Sequence, residues 1–290
     1  MTKNILLIKL YCAVSEYNVT ILAAHAQRQS NNFRPKFTDE ECIATFIWGI
    51  YNQKFTVKAC NKFIEDYYSD WFPNLPSYQA YNHRVCYLAD SLMALADALI
   101  QDRGLDVSHT DFVLDSLPII VASHRRRFKA KAAQEICSIG YCSTKKIHYY
   151  GAKLHSLAQC NHKAMPCLAS LMVTDASTHD LTAAKQILSD VCNIRLFGDL
   201  AYFTKDWHSQ MRTDNNVCII TPIKRKQGQK KLFYWQRTFS AAVSSIRQTI
   251  ESFFNWLIEK TNIQKASKVR SPSGFLAFIF ARVACACFSF

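Results

Sequence analysis

Twice the chain places a single aspartate inside an otherwise apolar run, "VLDSLPI" at residues 113–119 and "LFGDLAY" at residues 196–202. A carboxylate is costly to bury unpaired, so the fold has to bring a compensating group to each. Short apolar runs of this kind read as buried strands. The constraint is therefore a sheet in which two strands, far apart in the chain, each carry one acidic side chain.

The rest of the composition allows such a core and narrows the partners. At 290 residues and 49% hydrophobic content the chain has ample material for packed domains, which excludes disorder. A formal charge of +13 and a pI near 9.2 point to a polyanionic partner rather than a neutral metabolite. The twelve cysteines follow no CxxC spacing and fit a reducing compartment. Cys160, His162 and Cys167 lack a fourth nearby ligand and read as a turn, with zinc not expected. The N-terminal "MTKNILLIKLYCAVSEY" is interrupted by Lys9 and has no small-residue cleavage site, so a secretory signal is not expected. The C-terminal "GFLAFIFARVACACFSF" stands as the only membrane candidate. Arg282 splits it and it falls short of the roughly 20 residues a span needs, so it is expected to be a buried helix, with no membrane partner.

The pattern changes character near residue 105, dividing a helical domain (1–105) from a second domain (106–290). "FTDEECIATFIWGIYNQ" opens with Thr38 and Glu41 at capping-box spacing. "PSYQAYNHRVCYLADSLMALADALI" reads as one helix with Ser77 as N-cap. This helical region is of the helix-turn-helix general type, either reading DNA ends or serving as a plain helical cap. Beyond it come a strand "DFVLDSLPIIVA" that Pro118 should end or bend, a hairpin of "KIHYYGAKLHSLAQC" and "AMPCLASLMVTDAS" turning at residues 161–163, a helix "HDLTAAKQILSDV", a strand "IRLFGDLAY", a short helix "TKDWHSQMR", a strand "NVCIITPI" and the long helix "FSAAVSSIRQTIESFFNWLIEK". That order is α/β and matches a ribonuclease-H-like domain, a mixed sheet with helices on both faces.

In such a sheet Asp115 and Asp199 lie on neighbouring strands and face each other. Like charges so placed repel unless a cation sits between them, and two Mg²⁺ (or Mn²⁺) ions about 3.5–4 Å apart, with Asp115 bridging, would serve. The long helix adds Glu251. Val243, Ile246, Ile250, Phe253 and Leu257 form its packed stripe, with Arg247 and Glu251 one turn apart beside it. Alone, Arg247 and Glu251 read equally as a solvated ion pair. Asp111 shares a strand face with Asp115 and is the alternative ligand if the register differs. Asp175 and Asp180 read as helix caps, and His155 and His124 as satisfied or surface histidines.

"VLDSLPI", "GYCSTKKIHYYGAKLH", "LFGDLAY" and "IRQTIESFFNWL" together resemble bacterial insertion-sequence transposases of the DDE superfamily, most closely the insertion-sequence nine-eighty-two family, over residues 108–282. The resemblance implies a catalytic and metal-binding triad of Asp115, Asp199 and Glu251. It also implies cleavage at transposon ends followed by joining to target DNA, a dimer or larger assembly on that DNA, and a cytoplasmic, nucleoid-associated bacterial location. The wider group's Tyr-x-x-Arg-x-x-x-Glu-x6-Lys signature keeps Arg247 and Glu251 here, but Ser244 and Ile258 stand at the tyrosine and lysine positions. DNA contacts are expected from Arg125, Arg126, Arg127 and Lys129 after the first strand, from Lys153, from Lys224, Arg225, Lys226, Lys230 and Lys231 before the long helix, and from Arg247. Tyr234 and Trp235 either stack on an unpaired base or pack in the core. The rival functions are a nuclease of the same fold that only hydrolyses and a non-catalytic DNA-binding regulator.

Overall fold

A computed structural model describes residues 3–26, 35–142, 145–161, 164–202, 204–225 and 227–288. The chain forms two compact units. One comprises Met1–Asp102, Ile120–Ile136 and Leu257–Phe290, the other Arg103–Ile119 and Cys137–Trp256.

The first unit is helical. Helix α1 (Lys3–Tyr17) continues through a π-helical turn at Asn18–Leu22 into α2 (Ala23–His25). By length and composition the run Asn4–His25 is long and apolar enough to cross a membrane, whereas the C-terminal stretch expected to be the only candidate is a shorter apolar helix. The run nevertheless packs on α3 (Asp39–Tyr51), with Leu7, Leu10 and Val14 buried. The expected capping box opens α3: the Thr38 N–H donates to Glu41 Oε2 at 2.6 Å and the Glu41 N–H to Thr38 Oγ1 at 3.3 Å. Every residue from Cys42 to Ile50 is buried, which makes α3 the central helix of this unit. Next come α4 (Val57–Tyr67), α5 (Tyr78–Tyr87) and α6 (Ala89–Asp102). Ser77 caps α5 as expected, but the stretch 76–100 read as one helix is two. The chain turns at Leu88, whose backbone leaves the helical region (ψ 18°) while its side chain is fully buried. No glycine or proline marks that break, because tertiary burial of Leu88 sets it.

The second unit is built on a mixed sheet of β1 (Asp111–Ser123), β2 (Ser138–Cys142), β3 (Ile147–Gln159), β4 (Cys167–Asp175), β5 (Arg195–Phe197) and β6 (Cys218–Ile220). The strand order is β2-β3-β1-β5-β6, with β4 also paired to β3. β1 and β5 are parallel, as are β5 and β6, whereas β2–β3 and β3–β4 are antiparallel. β1 is thus central, with β5 its neighbour. The expected hairpin is β3–β4, although His162 and Lys163 of its turn lie outside the described residues. β2 has no clear strand signature in the sequence because Gly140 interrupts it. The glycine is required there, since a Cβ would sit 2.3 Å from the Ala176 carbonyl oxygen.

Helices α7 (Asp180–Ile187) and α8 (Lys205–Asp214) cover one face of this sheet. Ala184, Leu188, Trp207 and Met211 pack with Phe112, Leu114, Leu157 and Leu196. Side chains alternate along a strand, so Val113 and Asp115 point to the opposite face, where α9 (Tyr234–Thr261) lies with Val243, Ile250 and Phe253 buried. With helices on both faces, this is the ribonuclease-H-like arrangement.

Pro118 does not end β1. Beyond it the strand continues to Ser123 and enters the helical unit, where the Ile120 N–H donates to the Gln264 carbonyl at 2.8 Å and the Ala266 N–H to the Ile120 carbonyl at 2.9 Å. Both bonds are made by Ile120, two residues past the proline, which itself has no N–H to leave unpaired. A 3₁₀ turn at His124–Phe128 follows. Helix α10 (Pro272–Phe288) packs on α6, α3 and α5 and is buried along most of its length, as expected for the C-terminal apolar stretch. Its Arg282 is fully enclosed, donating to the carbonyls of Thr261 (2.9 Å), Phe278 (2.9 Å) and Phe55 (2.8 Å) and lying 3.5 Å from the Phe278 ring centroid.

Candidate active site

The β1–β5 ladder aligns Asp111 with Arg195 and Val113 with Phe197. The paired ladder ends there; Asp115 and Asp199 each follow it by two residues, and both lie within 3.5 Å of Arg247. β5 itself is shorter than the sequence suggests, ending at Phe197. Asp199 then accepts the Leu200 N–H at 2.7 Å and starts a 3₁₀ turn through Tyr202. This turn accounts for the Gly-Asp-x-x-Tyr block. Tyr202 is buried and folds back so closely that a Cβ on Gly198 would come within 2.9 Å of its ring. Gly198 and Tyr202 therefore shape the Asp199 turn. Their spacing in "FGDLAY" was the available signal, but the sequence reading gave neither residue a role.

Asp115, Asp199 and Glu251 share one cation. Arg247 Nη2 donates to Asp115 Oδ2 at 3.3 Å, while Nη1 lies 3.5 Å from Asp199 Oδ1 and Nη2 3.8 Å from Glu251 Oε1. Helical spacing of four residues puts Arg247 and Glu251 on the same side of α9, and the buried stripe of α9 turns that side to Asp115. The four side chains differ in shelter. Arg247 is 12% exposed and Asp115 20%, whereas Asp199 and Glu251 are 51% and 56% exposed. Asp115 also accepts the Ser116 N–H at 2.8 Å. Burial pushes its carboxyl up to about 6; Arg247 and the Ser116 N–H oppose the rise, and Asp199 and Glu251 add to it. The Tyr202 hydroxyl is pushed well above its ordinary value, chiefly by burial and further by Asp115, Asp180 and Asp199.

Other acidic and basic candidates fall elsewhere. Asp111 is held by Arg195 and is no rival to Asp115 at this site. Asp175 and Asp180 do not cap α7; His179 Nδ1 accepts the Leu181 N–H instead. Asp175 organises a turn by accepting from Ser138, Ser177 and Thr178, and Asp180 pairs with Lys153 Nζ at 2.9 Å. Lys153 also donates to the Thr178 carbonyl at 2.8 Å, so its charge is matched within the fold. His155 is buried, its Nε2 2.9 Å from Thr174 Oγ1, and burial lowers it to about 4, leaving it neutral.

Lys224, Arg225, Lys230 and Lys231 are exposed in the sheet unit, and Lys226 lies outside the described residues. Tyr234 and Trp235 are exposed at the start of α9 rather than packed in the core. Arg125, Arg126 and Lys129 are exposed in the helical unit, where Arg127 lies 4.1 Å from the Phe128 ring centroid.

Three carboxylates drawn to one positive centre match a hard divalent cation in donor chemistry. A guanidinium lies within 3.8 Å of each of them. Among the described residues no three His, Cys, Asp or Glu side chains stand close enough together to hold a metal ion.

A family model described as "Transposase DDE domain" matches residues 108–288, which include all four of these side chains. No curated protein matches the chain. With well over half of its length matched, the chain belongs to the transposase DDE-domain family.

Proposed function

We propose that the protein cleaves DNA at the ends of a mobile element to give 3′-hydroxyls and joins those ends to target DNA, as in the insertion-sequence nine-eighty-two family that its four sequence blocks resemble. The observation that carries this is the convergence of Asp115, Asp199 and Glu251, up to 136 residues apart in the chain by their numbers, on a single cationic side chain. Asp115, Asp199 and Glu251 would hold two divalent ions, Mg²⁺ or Mn²⁺, whose Lewis acidity stabilises charge on the phosphoryl oxygens. Arg247 would hold a phosphate, as guanidinium groups do. The exposed Lys224, Arg225, Lys230 and Lys231, together with Arg125, Arg126 and Lys129, would bind the DNA backbone, whose phosphates dominate affinity. Residues 1–105 would bind the terminal repeats, the part of 106–290 that forms the sheet unit would carry the chemistry, and a dimer or larger assembly would hold two ends together.

Incubating the full chain with labelled terminal DNA, target DNA and Mg²⁺ tests this. Joined products are expected. Cuts without joined products would favour a hydrolytic nuclease, and an Asp115→Asn protein that transposes as well as its parent would favour a DNA-binding regulator.

A further inference from the structure

We infer that Arg247 is a built-in counter-cation for the carboxylate cluster, filling its centre before metal arrives, and that divalent ions bind there only as its guanidinium is displaced. The inference rests on the metal-binding role proposed for Asp115, Asp199 and Glu251.

Three features of Arg247 support it. Its guanidinium meets all three carboxylates, yet at 3.3–3.8 Å and with a single hydrogen bond. Charge-assisted bonds of a committed pair are shorter, roughly 2.7–2.9 Å, and often bidentate. Such a forked pair exists in the same unit, where Arg195 reaches both oxygens of Asp111. Arg247 is thus shared loosely rather than tied to one partner. Second, its Nε is buried without a hydrogen-bond partner among the described residues. A buried donor left unpaired is costly, and it is retained here because three negative charges attract the group carrying it. Third, the charges do not balance: three carboxylates face one guanidinium, leaving a net −2. A divalent ion is the stronger cation for that cluster, and the carboxylates cannot close round it while the guanidinium stands between them. Once displaced, Arg247 is free to meet a phosphate.

The test uses the full chain, stripped of metal with a chelator and titrated with Mn²⁺, with free Mn²⁺ followed by electron paramagnetic resonance. Arg247→Gln is expected to bind Mn²⁺ at least about tenfold more tightly than the parent, since a like charge a few ångströms away is removed. Arg247→Lys, which keeps the charge, should stay near the parent, and Asp115→Asn should lose the site. Equal or weaker binding by Arg247→Gln, with Asp115-dependent binding intact, would overturn the inference alone. Absence of Asp115-dependent binding from both parent and Arg247→Gln would overturn the metal-binding role and the inference with it. The parent gives an independent readout that needs no variant to fold: with ¹⁵N-arginine labelling, the buried Nε–H resonance of Arg247 should shift or vanish as Mg²⁺ is added. An Arg247 signal unmoved by saturating Mg²⁺ would equally overturn displacement.

Discussion

Asp111 and Asp115 sit four residues apart on the same strand and the same face of it, and their circumstances are opposite. At the first, the residue across the β1–β5 ladder is Arg195, which forks onto both carboxylate oxygens. At the second, two residues past the last paired position, another aspartate, Asp199, contacts the same cation, and the compensating charge comes from a different element, Arg247 of α9. Opposite charges across a ladder stabilise it and like charges destabilise it. One end of the strand pair is therefore closed by its own partner, and the other is held open for something cationic. On the proposed function, the carboxylate with a committed partner is structural and the one whose partner is shared three ways is available for chemistry.

The largest test of that contrast is catalytic. Asp115→Asn is expected to lower DNA cleavage and joining by about 10³-fold or more, the size of effect carried by a charge-stabilising group at the reacting phosphate, while Asp111→Asn stays within a few-fold of the parent. Equal losses at both positions, measured on the same labelled DNA, would erase the distinction.

Glu251→Gln should abolish joining yet leave the unfolding midpoint within roughly 2 °C of the parent, because an exposed side chain away from any tight partner contributes little to stability. A large fall in the midpoint would move Glu251 to the structural side of the comparison.

Next in size is a pH effect confined to the open end. The Asp115 carboxyl is raised from 3.8 to about 6 by burial, so ionising it is harder in the folded chain than in the unfolded one. Stability associated with this group is fully present below pH 4 and is lost as pH rises through 6. In metal-free buffer the parent should therefore lose about 3 kcal/mol relative to Asp115→Asn between pH 3.5 and pH 7. Chemical denaturation at a series of pH values measures it, and a difference independent of pH would contradict the assignment.

An open, cation-seeking end also implies a nearby path for the DNA backbone. Replacing Lys224, Arg225, Lys230 and Lys231 with glutamine should reduce the salt-dependence slope of DNA binding by up to about 4. An unchanged slope would remove that loop from the interface. The smallest effect belongs to the closed end: Arg195 is largely exposed, so Asp111→Asn should cost under about 1 kcal/mol in a denaturant titration.

Much of this was legible in the residues because it depends on local pattern. The capping box at Thr38 and Glu41, the packed stripe of α9 and the apolar runs around Asp115 and Asp199 all follow from spacing within a single element. What escaped depends on neighbours. β2 was hidden because Gly140, a poor strand former, is demanded by the approach of the Ala176 carbonyl. Pro118 misled because the strand is continued beyond it by Ile120, whose partners Gln264 and Ala266 lie far along the chain. The expected caps Asp175 and Asp180 are engaged by Ser138 and Lys153, which come from other strands.

The amino-acid order alone determined that two strands and a helix would each carry an acidic side chain beside an apolar surface, since periodicity and burial cost are properties of short segments. Which of the aspartates on β1 is saturated and which is left open was decided only by the tertiary structure. Parallel pairing with β5 puts an arginine opposite Asp111, whereas Asp115 and Asp199, each two residues past the last paired position, share Arg247 of α9.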